Sequence, residues 1–301
     1  MRHALIFNVI SFVTFALAVF FLLTRGLHLS VEFTGGTLIE VNYAQGADLG
    51  KIRDGLSKAG YTDIAVQTFG SSRDVMIRMP PKKEQNSAKI GEAVMSVLDA
   101  EAPGASLRRV EFVGPQVGKD LALNGVYATV FMLVGFLIYI AFRFEWKFAV
   151  VASLTALFDL LVTVAFVSLT GREFDLTVLA ALMTLVGYSL NDTIVVFDRV
   201  RENFRKVRRG DTAEIMDLSM TETLSRTIIT GMTAVMVLAA LAYFGGEALY
   251  GFSIALMFGI VVGTYSSIYV GAPIILLWGV KRGETADDEP EPVKMGMASR
   301  P

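Results

Sequence analysis

Apolar residues run almost unbroken through six stretches of the chain: Ala4 to Leu23, Leu123 to Phe142, Phe148 to Leu169, Leu176 to Phe197, Thr227 to Phe244 and Gly251 to Trp278. A helix needs about 20 predominantly apolar residues to cross a bilayer, so the pattern predicts six transmembrane helices, the sixth long enough to tilt. Between the first two stretches the periodicity shortens. Val31 to Val41 reads as a strand interrupted by Gly35-Gly36, and Asp48 to Ala59 carries Leu49, Ile52 and Leu56 at helical spacing. Ile64 to Phe69 and Val75 to Met79 alternate as strands around a turn at Ser71-Ser72. A second helix opens at Asn86 with Ile90, Val94, Val97 and Leu98, and Ser106 to Val113 closes as a strand. The order β-α-β-β-α-β predicts a ferredoxin-like sandwich.

The expected fold is therefore an α-helical membrane protein whose α+β ferredoxin-like head lies between helices 1 and 2. Its parts are a first transmembrane helix over 1–24, the head over 25–120, a five-helix bundle over 121–282 and a tail over 283–301. The tail, TADDEPEPVKMGMASRP after Glu284, is polar, proline-bearing and aperiodic, the composition of a disordered terminus. Thr24-Arg25-Gly26 follows the first stretch where a signal peptide would carry a small-residue cleavage site, so that stretch reads as a retained span.

Charge placement orients the bundle. Basic residues gather at Arg143 to Lys147, at Arg199, Arg201, Arg205, Lys206, Arg208 and Arg209, and at Lys281 and Arg282. The alternate short loops, Thr170 to Asp175 and Gly245 to Tyr250, hold only Arg172. Positive residues mark the cytoplasmic side, which puts both termini in the cytoplasm and the head outside. Across 301 residues the chain is 53% hydrophobic and 19% charged, too apolar for an ordinary soluble domain. The net charge of −2 points to neither nucleic acid nor an acidic ligand, and the absence of cysteine removes disulfide and thiolate chemistry. His3 and His28 lie outside the apolar cores, which argues against an intramembrane histidine relay or metal site.

Charged residues inside the apolar stretches carry the candidate chemistry. Asp192, in GYSLNDTIVVFDRVREN, lies about 9 Å inside the cytoplasmic end of the fourth stretch, and Asp159, in FDLLVT, about 16 Å into the third. An intramembrane carboxylate costs roughly 2.5–3.5 kcal/mol at mid-membrane and is a functional candidate by default. Two such acids on antiparallel neighbours could share a polar region and pass protons between the two sides; a structural hydrogen bond between helices is the alternative. Arg226, in LSRTIIT, opens the fifth stretch on the side of Asp192, where it could hold that carboxylate ionised or simply snorkel to the headgroups. Asn191 and Thr193 flank Asp192 as supporting polar groups, and Asp198 reads as an interfacial charge pairing with Arg199 or Arg201.

Two glycine patterns concern packing. Gly251, Ala255, Gly259, Gly263, Ser267 and Gly271 recur every fourth residue along the sixth stretch, a small-residue face for a closely packed helix of this chain or of a partner. Gly35-Gly36 in VEFTGGT, just after Glu32, suits a bulge or a close backbone approach where the head meets the membrane.

VEFTGGTLIEV, EFVGPQVGKDL, FDLLVT, GYSLNDTIVVFDRVREN and LSRTIIT together resemble the SecF family, the smaller subunits of the SecDF accessory complex of the bacterial Sec translocase, over residues 1 to about 282. Two positions depart from the family's pattern: Glu32 stands where Asp is usual, and Phe158 where His is usual, which removes a proton carrier beside Asp159. The resemblance implies the resistance-nodulation-division superfamily, a periplasmic head, the bacterial inner membrane, and pairing with the six spans of SecD. It further implies that the proton motive force, acting through Asp192 and Arg226, promotes late steps of protein translocation, with protons as coupling ion and no other cofactor. The partners implied are SecD, SecYEG, YajC, YidC, the secreted polypeptide in transit and membrane lipid. A half-size proton-coupled exporter of a lipid or small molecule shares the acids but calls for a larger external region. An intramembrane aspartyl protease calls for GxGD where this chain has Ser189-Leu190-Asn191 before Asp192. A passive scaffold leaves Asp192 unexplained, so a transport subunit without enzymatic activity is the expectation.

Overall fold

A computed structural model describes residues 4–69, 71–81, 87–101, 103–144, 146–207 and 211–278. The expected tail over 283–301 and the residues His3, Asn86, Arg208, Arg209, Lys281 and Arg282 lie outside the described residues.

The chain opens with helix α1 (Ala4–Arg25), a two-residue strand β1 (His28–Leu29) and a single helical turn α2 (Val31–Thr34). The head follows as β2 (Gly36–Tyr43), α3 (Leu49–Lys58), β3 (Ala65–Phe69), β4 (Ser71–Met79), α4 (Ser87–Glu101) and β5 (Ala105–Val113). Its strands form one antiparallel sheet in the order β3-β4-β2-β5. Alternation decides which face is covered. Ile39, Val41, Val66, Val75 and Ile77 point one way and bury against Ile52 and Leu56 of α3 and Ile90, Val94 and Leu98 of α4. Residues of the opposite parity, among them Gln67, Asp74 and Arg78, lie on the uncovered face. Asp48 caps α3, its carboxylate accepting from the backbone N–H groups of Gly50 and Lys51.

Two local expectations are corrected. Val31 to Thr34 is helical, so the strand begins at Gly36 rather than Val31. Buried Val31 and Phe33 alternate as a strand would, but tertiary contacts of this segment override that signal. Gly35 at φ +74° and Gly36 at φ +134° turn the chain into the sheet through backbone angles that side-chain-bearing residues rarely adopt. Ser71-Ser72 lies inside β4 rather than in the turn, because the ladder reaches Phe69 opposite Ser71.

Gly114 alone separates β5 from α5 (Pro115–Arg143), whose proline occupies the first helical turn. Then come α6 (Trp146–Leu169), the short strand β6 (Glu173–Phe174), α7 (Leu176–Lys206), α8 (Thr212–Phe244) and α9 (Glu247–Ser266). A π-helical turn (Ser267–Gly271) and α10 (Ala272–Leu277) complete the sixth span. Among the described residues six helices are long and apolar enough to cross a membrane. Within the chain the third and fourth form the interior: 56% and 50% of their apolar windows are buried, against 11%, 6% and 17% for the first, second and fifth. α6 packs on α1, α5, α7 and α9, and α7 lies between α6, α8 and α9. β1 pairs in parallel with β6, so the start of the head is joined to the loop before α7.

Candidate functional site

Val178, Leu182, Leu185, Ser189, Asp192 and Val196 recur at three- and four-residue intervals on α7, all of them buried. This is one face of a helix, and it meets the small residues of the sixth span. A Cβ on Gly259 would come within 2.5 Å of Leu185 Cδ2, one on Gly251 within 3.4 Å of Val178, and one on Gly263 within 3.5 Å of both Asp159 Oδ2 and Ser189. Gly271 faces Thr155 and Phe197, and Ala255 lies in the same apolar cluster as Val178 and Leu185. The stripe thus packs inside this chain, against α6 and α7. Its close approach brings backbone and hydroxyl groups to the acids that larger side chains would hold away.

Asp192 is 7% exposed and accepts two hydrogen bonds, from Thr227 Oγ1 of α8 at 2.9 Å and Ser267 Oγ of the π-helical turn at 3.3 Å. Asp159 of α6 is fully buried; Ser189 Oγ of α7 donates to its Oδ2, while Oδ1 has no hydrogen-bond partner. Ser266 Oγ donates to the backbone carbonyl of Gly263, the glycine that faces Asp159. Both acids therefore lie along the seam between α7 and α9, Asp159 meeting α7 at Ser189, three residues before Asp192. Every hydrogen-bonding side chain they touch is a hydroxyl. A hydroxyl can donate to a carboxylate or accept from a carboxyl group, so this surrounding serves either protonation state. A buried carboxylate with no cation in contact is otherwise costly.

The remaining candidates fall differently. Arg226 lies near enough to Asp192 for their charges to interact, while the residue hydrogen-bonded to the carboxylate is its neighbour Thr227, turned about 100° from Arg226 around the helix. Arg226 is exposed and lines a groove of ≈ 490 Å³ with Tyr139, Arg143, Asp198, Glu202 and Glu222. Asp198 pairs across helices with Arg143 at 3.8 Å, correcting the expected partners Arg199 and Arg201. Arg199 is held by Glu202 and by Glu222 of α8. Asn191 is exposed, on the side of α7 away from the seam; Thr193 is fully buried with its hydroxyl unpartnered. Among the described residues no group of three or more Asp, Glu or His side chains could hold a metal ion.

Where the head joins the bundle, Glu32 Oε2 accepts the backbone N–H of Leu176 at 2.7 Å, and Asp175 Oδ1 accepts that of Val178 at 2.7 Å. Two carboxylates thus satisfy the first N–H groups of α7 and complement its dipole. Gly35 and Gly36 admit backbone: a Cβ at Gly35 would lie 2.8 Å from Pro115 Cα, and one at Gly36 2.5 Å from the Met79 carbonyl oxygen. Gly118 of α5 completes the contact, its missing side chain facing the Gly35 nitrogen and the Phe33 carbonyl. Thr227 and Ser189 escape sequence reading because hydroxyl residues are ordinary helix-packing groups in membranes; only their register toward the acids sets them apart.

The model of the C-terminal region of the protein export membrane proteins SecD and SecF matches residues 93–281, and that of the SecD/SecF GG motif matches residues 20–47. The chain belongs to the SecD/SecF family of protein export membrane proteins. The protein translocase subunit SecF of Pseudomonas aeruginosa is 50% identical over 255 residues, 85% of this chain and 82% of that one. Its counterpart in Escherichia coli O157:H7 is 45% identical over 260 residues, 86% and 80% of the two chains. The crystal structure of SecDF, a translocon-associated membrane protein from Thermus thermophilus, superposes with a TM-score of 0.84 at 34% identity. The match covers 92% of this chain and 38% of that longer one. SecDF in a super-membrane-facing form matches with a TM-score of 0.69, also at 34% identity.

Proposed function

We propose that this chain is a SecF-type accessory subunit of the Sec translocase that works with a SecD partner in the bacterial inner membrane. The proton motive force would drive late steps of polypeptide translocation through it, with the translocon SecYEG and the family's associates YajC and YidC as further partners. In this reading the head is a ferredoxin-like domain in the periplasm and both termini are cytoplasmic. The head's strand order supports that fold, and the basic loops at the opposite end of the bundle support that orientation.

One observation carries the mechanism: Asp192, in the middle of an apolar helix, is enclosed by hydroxyl donors from two other elements and contacts no cation. It is the proton carrier in this reading. Asp159, held by Ser189, is the second carboxylate of the path. Arg226, in the groove on the side away from the head, sets the potential felt by protons reaching Asp192. Protonation of Asp192 removes the charge whose burial constrains α7 and α9, so the relative position of those helices changes with the proton.

The test is Asp192→Asn, assayed for precursor processing and for co-purification with SecD. Loss of export stimulation with normal assembly is the expected result. Normal export, or loss of assembly itself, overturns the reading.

A further inference from the structure

The head is fastened to the bundle by two kinds of contact. On the β2/β5 side the connection is backbone on backbone. Gly35 and Gly118 touch, Gly114 alone separates β5 from α5, and Glu32 caps α7. These contacts are close and glycine-lined, as a pivot requires. The second is made by side chains of β4, which pairs directly with β2, and of the edge strand β3 beyond it, about 10 Å from β2 at the usual strand spacing.

There Arg78 of β4 forms an ion pair with Glu173 of β6 and donates from Nη1 to the backbone carbonyl of Leu29 in β1 at 3.1 Å. Gln67 of β3 donates from Nε2 to Glu173 Oε1 at 2.8 Å. One guanidinium thus grips both strands of the β1-β6 pair, and Glu173 stands two residues before Asp175, the N-cap of α7. The side chains of Arg78 and Glu173 are 24% and 22% exposed. Water can therefore take over these polar contacts when the two sides part, unlike the buried contacts at Gly35, Gly36 and Gly118.

We propose that Arg78, Gln67 and Glu173 form a releasable latch between strands β3 and β4 of the head and the start of α7, and that translocation requires it to open and close. This rests on the proton-coupled reading of α7. It adds the route by which movement of the helix bearing Asp192 reaches the head: α7 carries β6 with it, and the head either follows through Glu173 or swings free about the glycine pivot. Glu173 and Arg78 are positioning residues in this scheme.

Charge reversal tests the latch in the full chain co-expressed with SecD. Arg78→Glu and Glu173→Arg should each lower export stimulation about fivefold, the reach of a partly exposed ion pair, with unchanged assembly. The double reversal should restore most of it. Single variants that export normally, or that lose assembly without rescue in the double, overturn the proposal. Opening is tested separately, since the chain contains no cysteine of its own. Gln67→Cys with Glu173→Cys, joined by a bifunctional thiosulfonate whose spacer spans the two side chains, should block the export that the unjoined double variant retains, and reduction should restore it to that level. Export by the joined protein equal to that of the unjoined variant shows that the latch need not open and overturns the proposal. If Asp192→Asn abolishes export in the same assay, the proton-coupled reading survives that failure; if Asp192→Asn exports normally, that reading is what has failed.

Discussion

Asp74 in the head and Asp192 in the bundle are both aspartates whose carboxylates accept from hydroxyl groups, yet their surroundings commit them to different chemistry. Asp74 accepts from Ser71 Oγ at 2.6 Å, from Asn42 Nδ2 at 2.6 Å and from Arg108 Nη1 at 3.0 Å. The Ser71 and Asn42 hydrogen bonds, with Arg108 beside them, hold its carboxyl below the ordinary value of 3.8. Amide and guanidinium N–H groups can only donate, so this site suits the ionised form alone. Around Asp192 the partners are Thr227 and Ser267, which can reverse the direction of their hydrogen bonds. A fixed charge is built from one-way donors beside water; a switchable one is built from hydroxyls in an apolar helix seam.

The strongest way to break that contrast is at Thr227. Thr227→Val keeps the shape and removes the hydroxyl, leaving Asp192 with the longer bond from Ser267 alone. Export stimulation should fall roughly tenfold, since an unsatisfied buried partner of a charged group costs about 1–3 kcal/mol, whereas Thr227→Ser should retain most of it. Precursor processing measured across external pH from 6 to 8 would show the Val variant's response displaced relative to wild type. An undisplaced, uniformly scaled response would assign Thr227 to packing instead.

The same pair of sites shows what sequence can and cannot disclose. Span positions follow from length and hydropathy alone, and the head's element order from switches between two- and 3.6-residue periodicity, so these are local signals. Asp192 and Asp159 stand out because any carboxylate in an apolar run does. Which neighbours face them depends on helix rotation. Arg226 and Thr227 are adjacent in sequence but point to different places, one into the groove and the other onto Asp192. Glu32 illustrates a longer reach: its partner, the N–H of Leu176, is 144 residues away. The helical turn at Val31–Thr34 is specified by that contact and by Gly35-Gly36 rather than by the alternation of Val31 and Phe33.

A smaller effect sharpens the head's side of the contrast. The folded carboxyl of Asp74 lies below its ordinary value, so the stability it contributes is present above that value and lost as pH falls through the lower folded one. Urea unfolding of the head's signal should weaken below about pH 4, and Asp74→Asn should flatten that dependence. The expected difference is modest because the site is open to water, which screens the interaction. An unchanged acid limb in the Asn variant would show that Asp74 is not a fixed charge of this kind.

The smallest effect belongs to a hydroxyl that has no carboxylate to serve. Tyr43 is 6% exposed in the head core and its hydroxyl has no hydrogen-bond partner, so the fold bears its desolvation without return. Burial first, and the charge of Asp99 second, push its ionisation up to about 12 from 10.0. The neutral form is therefore favoured by folding below pH 10, and that advantage drains away as pH rises from 10 toward about 12, where only the unfolded chain ionises readily. Tyr43→Phe should leave the head equally stable or more stable by about 1 kcal/mol at neutral pH, and should remove its share of the alkaline loss. Destabilisation by the same substitution would mean that this hydroxyl, like those around Asp192, has a polar partner, and the division between a dry head core and a hydroxyl-lined helix seam would fail at that residue.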